Sequence, residues 1–270
     1  MKKICMVVII LGVLFLCCRQ KVEGVLPSPL NVNEAEKMAV LNSDRQRVVY
    51  NGLKKKATEM RKFYNHRDSG AVSLKAEFTN RFKSDSSFEE KCLYAALGGK
   101  AVSIGYLKTI LIDMHDTLSD YNKSNIGKAL YDALENIVND YYGSVIDFCY
   151  SSDGLLIKLE DVQDIKDLKV RFLDLHNFHL KWVSIVTELQ NLIGNIAKLC
   201  VQYLEIKDQA GKVDERSKLM VEIENKVKLI IDASKSEICE ETNTLCVAIS
   251  NFSFIRSGIM NFALMKPLSP

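Results

Sequence analysis

From Leu159 to Ile206 the apolar residues return at every third or fourth position: Leu159, Val162, Ile165, Leu168, Phe172, Leu175, Phe178, Trp182, Ile185, Leu189, Leu192, Ile196, Leu199, Tyr203 and Ile206. That spacing is one face of an α-helix with 3.6 residues per turn. Asp153–Gly154 gives a turn signal before the segment, and Gly211 gives a stop after it. An unbroken helix of this length would run ~70 Å at 1.5 Å per residue. Either a kink or break near Gly194 or an elongated bundle is therefore expected.

A second segment, Phe88 to Tyr121, has Ser86 and Glu89 in capping-box spacing at its start. Ala95, Gly99 and Ser103 follow four apart, with Gly98 and Gly105 beside them. Small residues at helical spacing predict a place where another helix comes close. Further helices are expected over Asn33–His66, Ser73–Phe82, Ile126–Tyr150, Asp214–Ser236 and Glu237–Phe262, the last continuing its predecessor or bending away. Asn122, Lys123 and Ser124 form a turn ahead of Ile126. Met220, Ile223, Val227 and Ile230 share one face of the Asp214–Ser236 helix. No stretch alternates strictly enough to demand a strand. The short connections favour antiparallel neighbours. The expected fold is all-α: an elongated antiparallel bundle of about five to seven helices.

Proline placement agrees. The four prolines are Pro27, Pro29, Pro267 and Pro270, and residues 30–266 contain none. A helix interior loses ~3 kcal/mol to a proline, so their absence leaves long helices possible.

The N-terminus is of another kind. Lys2 and Lys3 precede an uncharged run of 13 residues, Ile4 to Leu16, which ends at Cys17, Cys18 and Arg19. The run suits a signal h-region and is shorter than the ~20 residues of a membrane span. A cysteine directly after such a run is the pattern of a bacterial lipoprotein signal. Cleavage is expected before Cys18, with Cys17 as the alternative, and the exposed thiol would carry the lipid. The resulting organisation is a signal over 1–17, a lipidated tether over 18–33, one helical domain over 34–266 and a tail over 267–270.

Composition is that of a globular protein: 47% apolar, 26% charged and a net charge of +2. Nothing in this balance points to nucleic acid. Five cysteines lie beyond the anchor: Cys92, Cys149, Cys200, Cys239 and Cys246. On one helix Cys239 and Cys246 would be ~10.5 Å apart between Cα atoms, beyond disulfide reach. Buried free thiols are expected, and a bridge would need a bend at Thr242–Asn243.

Charge is concentrated in one place. Between Lys37 and Arg67 there are nine cations and only two carboxylates, Asp44 and Glu59. Arg45, Arg47, Lys54, Lys55, Lys56, Arg61 and Lys62 form the candidate contact for a polyanion: a sulfated glycan, an acidic protein surface or the anionic headgroups of the membrane beside the tether. The bland alternative is a solvated helix face. His176 and His179, three apart, could share one metal ion. The spacing lacks a glutamate base, and a hydrogen-bonded helix histidine explains His179 equally. His115, between Asp113 and Asp116, makes no ready triad on a helix. Asp161, Asp164 and Asp167 are spaced as a solvated face. No catalytic motif and no cofactor motif is present.

The signal "MKKICMVVIILGVLFLCC", the short tether and a Lys-, Asn-, Ile- and Leu-rich body such as "YNKSNIGKALYDALENIVNDYY" resemble the helical outer-surface lipoproteins of Borrelia-type spirochaetes. The resemblance is one of style over the whole chain and transfers no binding residue. It implies a protein on the outer-membrane surface, held by its N-terminal lipid. It also implies a non-enzymatic partner for a host macromolecule: a complement regulator, a matrix protein or a sulfated glycan. Two alternatives stand beside it. One is a periplasm-facing envelope lipoprotein, and the other is a metal-dependent enzyme using His176 and His179.

Overall fold

The computed structural model describes residues 32–74, 90–114, 117, 126–160, 162, 164–235 and 239–262. Among them every regular element is a helix. The elements are α1 (Val32–Tyr64), α2 (Glu90–Ala96), α3 (Ala101–Lys108), α4 (Ile126–Asn136), α5 (Ser144–Tyr150), α6 (Leu155–Glu160), α7 (Ile165–Ile206), α8 (Val213–Lys235) and α9 (Thr244–Phe262). Wider π-helical turns extend α3 over Thr109–Asp113 and join α4 to α5 over Ile137–Gly143. By contacts the chain divides into Met1–Asp44 and Arg45–Pro270, a boundary that falls inside α1. The signal, Cys17, Cys18, Ser86, the Asn122–Ser124 turn, His115, Asp161 and the tail lie outside the described residues. So does the expected Ser73–Phe82 helix beyond Leu74, while Ser73 and Leu74 themselves are not helical.

Helix α7 is the spine of the larger unit. It packs against α3, α8 and α9, and α8 also packs on α4 and α9. Every residue of the predicted stripe from Leu159 to Ile206 is buried or half-buried. The stripe is divided, however. Helix α6 stops at Glu160, and α7 starts afresh because the Asp164 side chain accepts the backbone N–H of Lys166 at 2.8 Å. An aspartate at an N-cap satisfies a donor that the first turn leaves orphaned. There is no break near Gly194, and α7 is continuous through it. Gly194 faces the Tyr106 ring of α3, and a Cβ there would make ordinary van der Waals contact with it at 3.5 Å.

The segment expected as one helix over Phe88–Tyr121 is broken at Gly98–Gly99. Both glycines have left-handed backbone, φ 60° and 70°. α2 and the α3 rod that follows are turned 118° apart. The corner brings in residues 66–68: Asp68 N–H donates to Gly99 O at 2.9 Å, and Ala101 N–H donates to the Asp68 carboxylate at 3.1 Å. Gln190 of α7 donates to Leu97 O at 2.7 Å, satisfying a carbonyl at the end of α2. Among the described residues no single helix is long and apolar enough to cross a membrane.

Cys239 and Cys246 are joined in a disulfide, with Cα atoms 5.4 Å apart. This corrects the expectation of free thiols. The chain turns through Glu241–Thr242, and Asn243 then caps α9 by accepting the N–H of Cys246 at 3.1 Å. The bend removes the ~10.5 Å separation a straight helix would impose. Cys92, Cys149 and Cys200 are buried thiols outside the disulfide.

Two measurements test this frame. Gly99→Ala places a Cβ 2.2 Å from His66 O at positive φ. It should lower urea-measured stability by roughly 1–3 kcal/mol. Gly105→Ala, in a helix and with open space around it, should raise stability by about 0.5–1 kcal/mol. Second, non-reduced protein covering residues 25–270 should expose three thiols to Ellman's reagent on unfolding, and five after reduction.

Candidate functional site

The described half of α1 from Arg45 onward buries Tyr50, Leu53, Ala57, Met60 and Tyr64 at helical spacing. That fixes what its cations do. Arg45, Arg47, Lys54, Lys55, Arg61 and Lys62 are all exposed. Lys56 is the exception, at 8% exposure, with its ammonium 3.4 Å from Glu59. It lies three after Leu53 and four before Met60, on the inward face. It is therefore no part of an open contact surface. The candidate stripe is thus two separate groups, Lys54–Lys55 and Arg61–Lys62, with Arg45 and Arg47 preceding them.

Aromatic faces support several of these charges. The Lys54 ammonium sits 4.6 Å over Tyr50, and the Arg61 guanidinium 4.7 Å over Tyr150 of α5. Beyond α1 the pattern continues, with Arg67 4.4 Å over Tyr94 and Lys91 4.4 Å over Tyr64. Each contact is worth about 0.5–1 kcal/mol when exposed and limits the reach of a long side chain. Two shallow depressions lie here. The larger, of ≈550 Å³, is lined by Thr58, Arg61, Lys62, Asn65, His66 and Arg67. The smaller, of ≈260 Å³, shares Asn65, His66 and Arg67 with it and adds Tyr64, Glu90, Lys91 and Tyr94. A third, of ≈310 Å³, lies beside Tyr50, Thr58, Tyr150 and Leu156.

Carboxylates near these cations are held by the fold. Glu59 faces Lys56. Asp68 accepts the Ala101 N–H and pairs with His66 at 3.0 Å, and its carboxyl is held below the usual range first by that N–H and then by His66. Glu90 accepts the Leu74 N–H at 2.6 Å, has Arg67 at 3.9 Å, and shares the single Tyr94 hydroxyl proton, at 3.1 Å, with Val72 O at 2.8 Å. Burial and the neighbouring Glu90 push the Tyr94 phenol up to about 12.

His179 is placed within the packing of the core. Its Nδ1 is 2.9 Å from the Tyr142 hydroxyl, which donates to Met60 O at 3.2 Å. With the phenolic proton given to Met60, the Tyr142 oxygen accepts from His179 Nδ1–H. The imidazole also meets Phe63 edge-on at 5.4 Å. His176 stacks on Phe172 instead, at 6.2 Å. Among the described residues no three His, Cys, Asp or Glu side chains gather as a metal site. Burial holds His179 down to about 4, with the Lys56 charge adding to it.

Arg67, Lys91, Tyr94 and Tyr150 were not among the sequence candidates. Arg67 closes the nine-cation run and could have been included. Lys91 comes from α2, and only the chain fold brings it to α1.

The sign of the His179 effect is fixed by its lowered value. Between its ordinary 6.5 and about 4, the unfolded chain binds a proton that the folded chain refuses. Stability should fall on acidification through that window and level off below it. His179→Gln should flatten this component in urea titrations at pH 7 and pH 4.5. Tyr142→Phe, which removes the hydroxyl's bonds to Met60 O and His179 Nδ1, should cost about 1–3 kcal/mol at pH 7.

No protein family matches the chain, and no curated protein and no solved structure matches it.

Proposed function

We propose that the protein is a lipid-anchored, non-enzymatic binding protein of the bacterial cell surface that engages a host macromolecule. The observation that carries this reading is the outward cationic face of α1. Arg61, Lys62 and Arg67 line one depression there, and its lining contains no carboxylate. A cationic surface of this kind attracts acidic proteins and sulfated glycans over roughly a Debye length, ~8 Å at physiological salt. The anchor rests on the sequence of residues 1–18, where an uncharged run ends at two cysteines. The Cys239–Cys246 bridge supports export, because disulfides persist in oxidising compartments.

Two measurements on the native cell test the reading. Proteinase K added to intact cells should remove the protein, whereas a periplasm-facing lipoprotein would survive until the envelope is opened. Mass spectrometry of the purified native protein should find an acylated N-terminal cysteine. A protected protein or an unmodified thiol defeats the reading.

A further inference from the structure

We propose that the paired depressions at the end of α1 form a binding site for a sulfated oligosaccharide, with Arg61, Lys62 and Arg67 as the sulfate-recognising groups. The inference deepens the function proposed above and rests on it.

The geometry differs from a solvated stripe in three respects. First, the cations converge on a concavity: the ≈550 Å³ depression has three permanent positive charges and the side chains of Thr58, Asn65 and His66 in its wall. The ≈260 Å³ depression continues it through shared residues and adds Lys91 together with Glu90, so the net positive charge sits in the larger one. A run of two joined hollows suits an extended ligand carrying several anionic groups better than a single small ion. Second, the nearby carboxylates have partners in the fold: Glu59 faces Lys56, Asp68 accepts the Ala101 N–H and pairs with His66, and Glu90 accepts the Leu74 N–H with Arg67 at 3.9 Å. Arg61 and Lys62 therefore carry the uncompensated charge of the larger depression, and Arg67 shares its charge with Glu90. Third, Arg61 and Arg67 rest on tyrosine rings, and Arg67 also donates to Ala71 O at 3.2 Å. Side chains held this way lose less freedom when a ligand arrives. A guanidinium offers paired N–H donors that fit the oxygens of a sulfate.

A membrane surface fits less well. None of the six residues lining the larger depression is apolar. A surface that settles into a bilayer presents apolar side chains alongside its basic ones.

The test uses the full chain in non-ionic detergent and calorimetric titration with three probes. These are a heparin-derived octasaccharide, the same octasaccharide with its sulfates removed, and detergent micelles doped with phosphatidylglycerol. The sulfated octasaccharide should bind, and its affinity should fall steadily as salt rises. Lys62→Gln should weaken binding several-fold, and Arg61→Gln with Lys62→Gln by about tenfold or more. Lys54→Gln with Lys55→Gln should change it by less than about twofold. Lys62 is exposed, so the single variant keeps its circular dichroism and melting temperature and separates lost binding from lost folding. Equal binding of the desulfated chain, equal binding of the anionic micelles, or an unchanged affinity in the Arg61/Lys62 variant would each overturn the proposal. So would a larger loss in the Lys54/Lys55 variant. If the protein is shaved from cells and acylated but fails this titration, the inference fails while the surface-binding reading stands. If it is protected from protease, that reading fails whatever the titration shows.

Discussion

The buried hydroxyl of Tyr142 ties two helices of the larger unit together. Its ring stacks on Trp182 at 4.7 Å and Phe178 at 5.7 Å, both on α7. Phe252 of α9 closes the cluster, 4.3 Å from Phe178. Such pairs add about 0.5–1.5 kcal/mol each beyond the area they bury. Stacking alone would still allow helices to slide, since apolar contact has little direction. The hydroxyl removes that freedom by joining Met60 of α1 to His179 of α7 through one oxygen. The π turn Ile137–Gly143 is what carries Tyr142 to this point. An extra residue in the turn shifts the helix face, and side chains beyond it point where a regular α-helix would not send them.

The candidate surface follows from the rotation of α1. The Tyr142 bond to Met60 O, the Tyr50 hydroxyl on Leu156 O at 3.0 Å and the burial of Leu53, Ala57 and Tyr64 together hold that rotation. Arg61 and Lys62 then have only the opposite face available. Lys56 shows what the rotation costs the charge run. It is turned inward against Glu59, and its field helps to keep His179 neutral. Core and surface are coupled through one helix.

What the sequence made legible was periodic. The α7 stripe and the four inward residues of α8 could be read because burial of one face repeats every 3.6 residues. The inward turn of Lys56 was legible by the same rule, masked by the habit of treating adjacent lysines as one patch. Gly98 and Gly99 were not legible. Small residues four apart mark a close helix crossing as readily as a corner, and only the sign of φ separates the two. Asp164 was hidden similarly among three evenly spaced aspartates, any of which could have been a cap or a solvated charge. The site's second wall, Lys91 and Tyr94, depends on the 118° turn at those glycines. A reader who missed the corner had to miss the wall.

The cysteines supply the last constraint. Burial pushes the Cys149 thiol up to about 12, and burial together with Asp113 does the same for Cys200. The thiolate is the species that attacks a disulfide, so such groups exchange slowly while the fold holds. Cys92 is also buried, with its Sγ 3.2 Å from Asn139 Oδ1. The odd count of five beyond the N-terminal run is therefore no obstacle to an oxidising environment. One pair closes the α8–α9 bend, and the three remaining thiols are protected by the packing of the core.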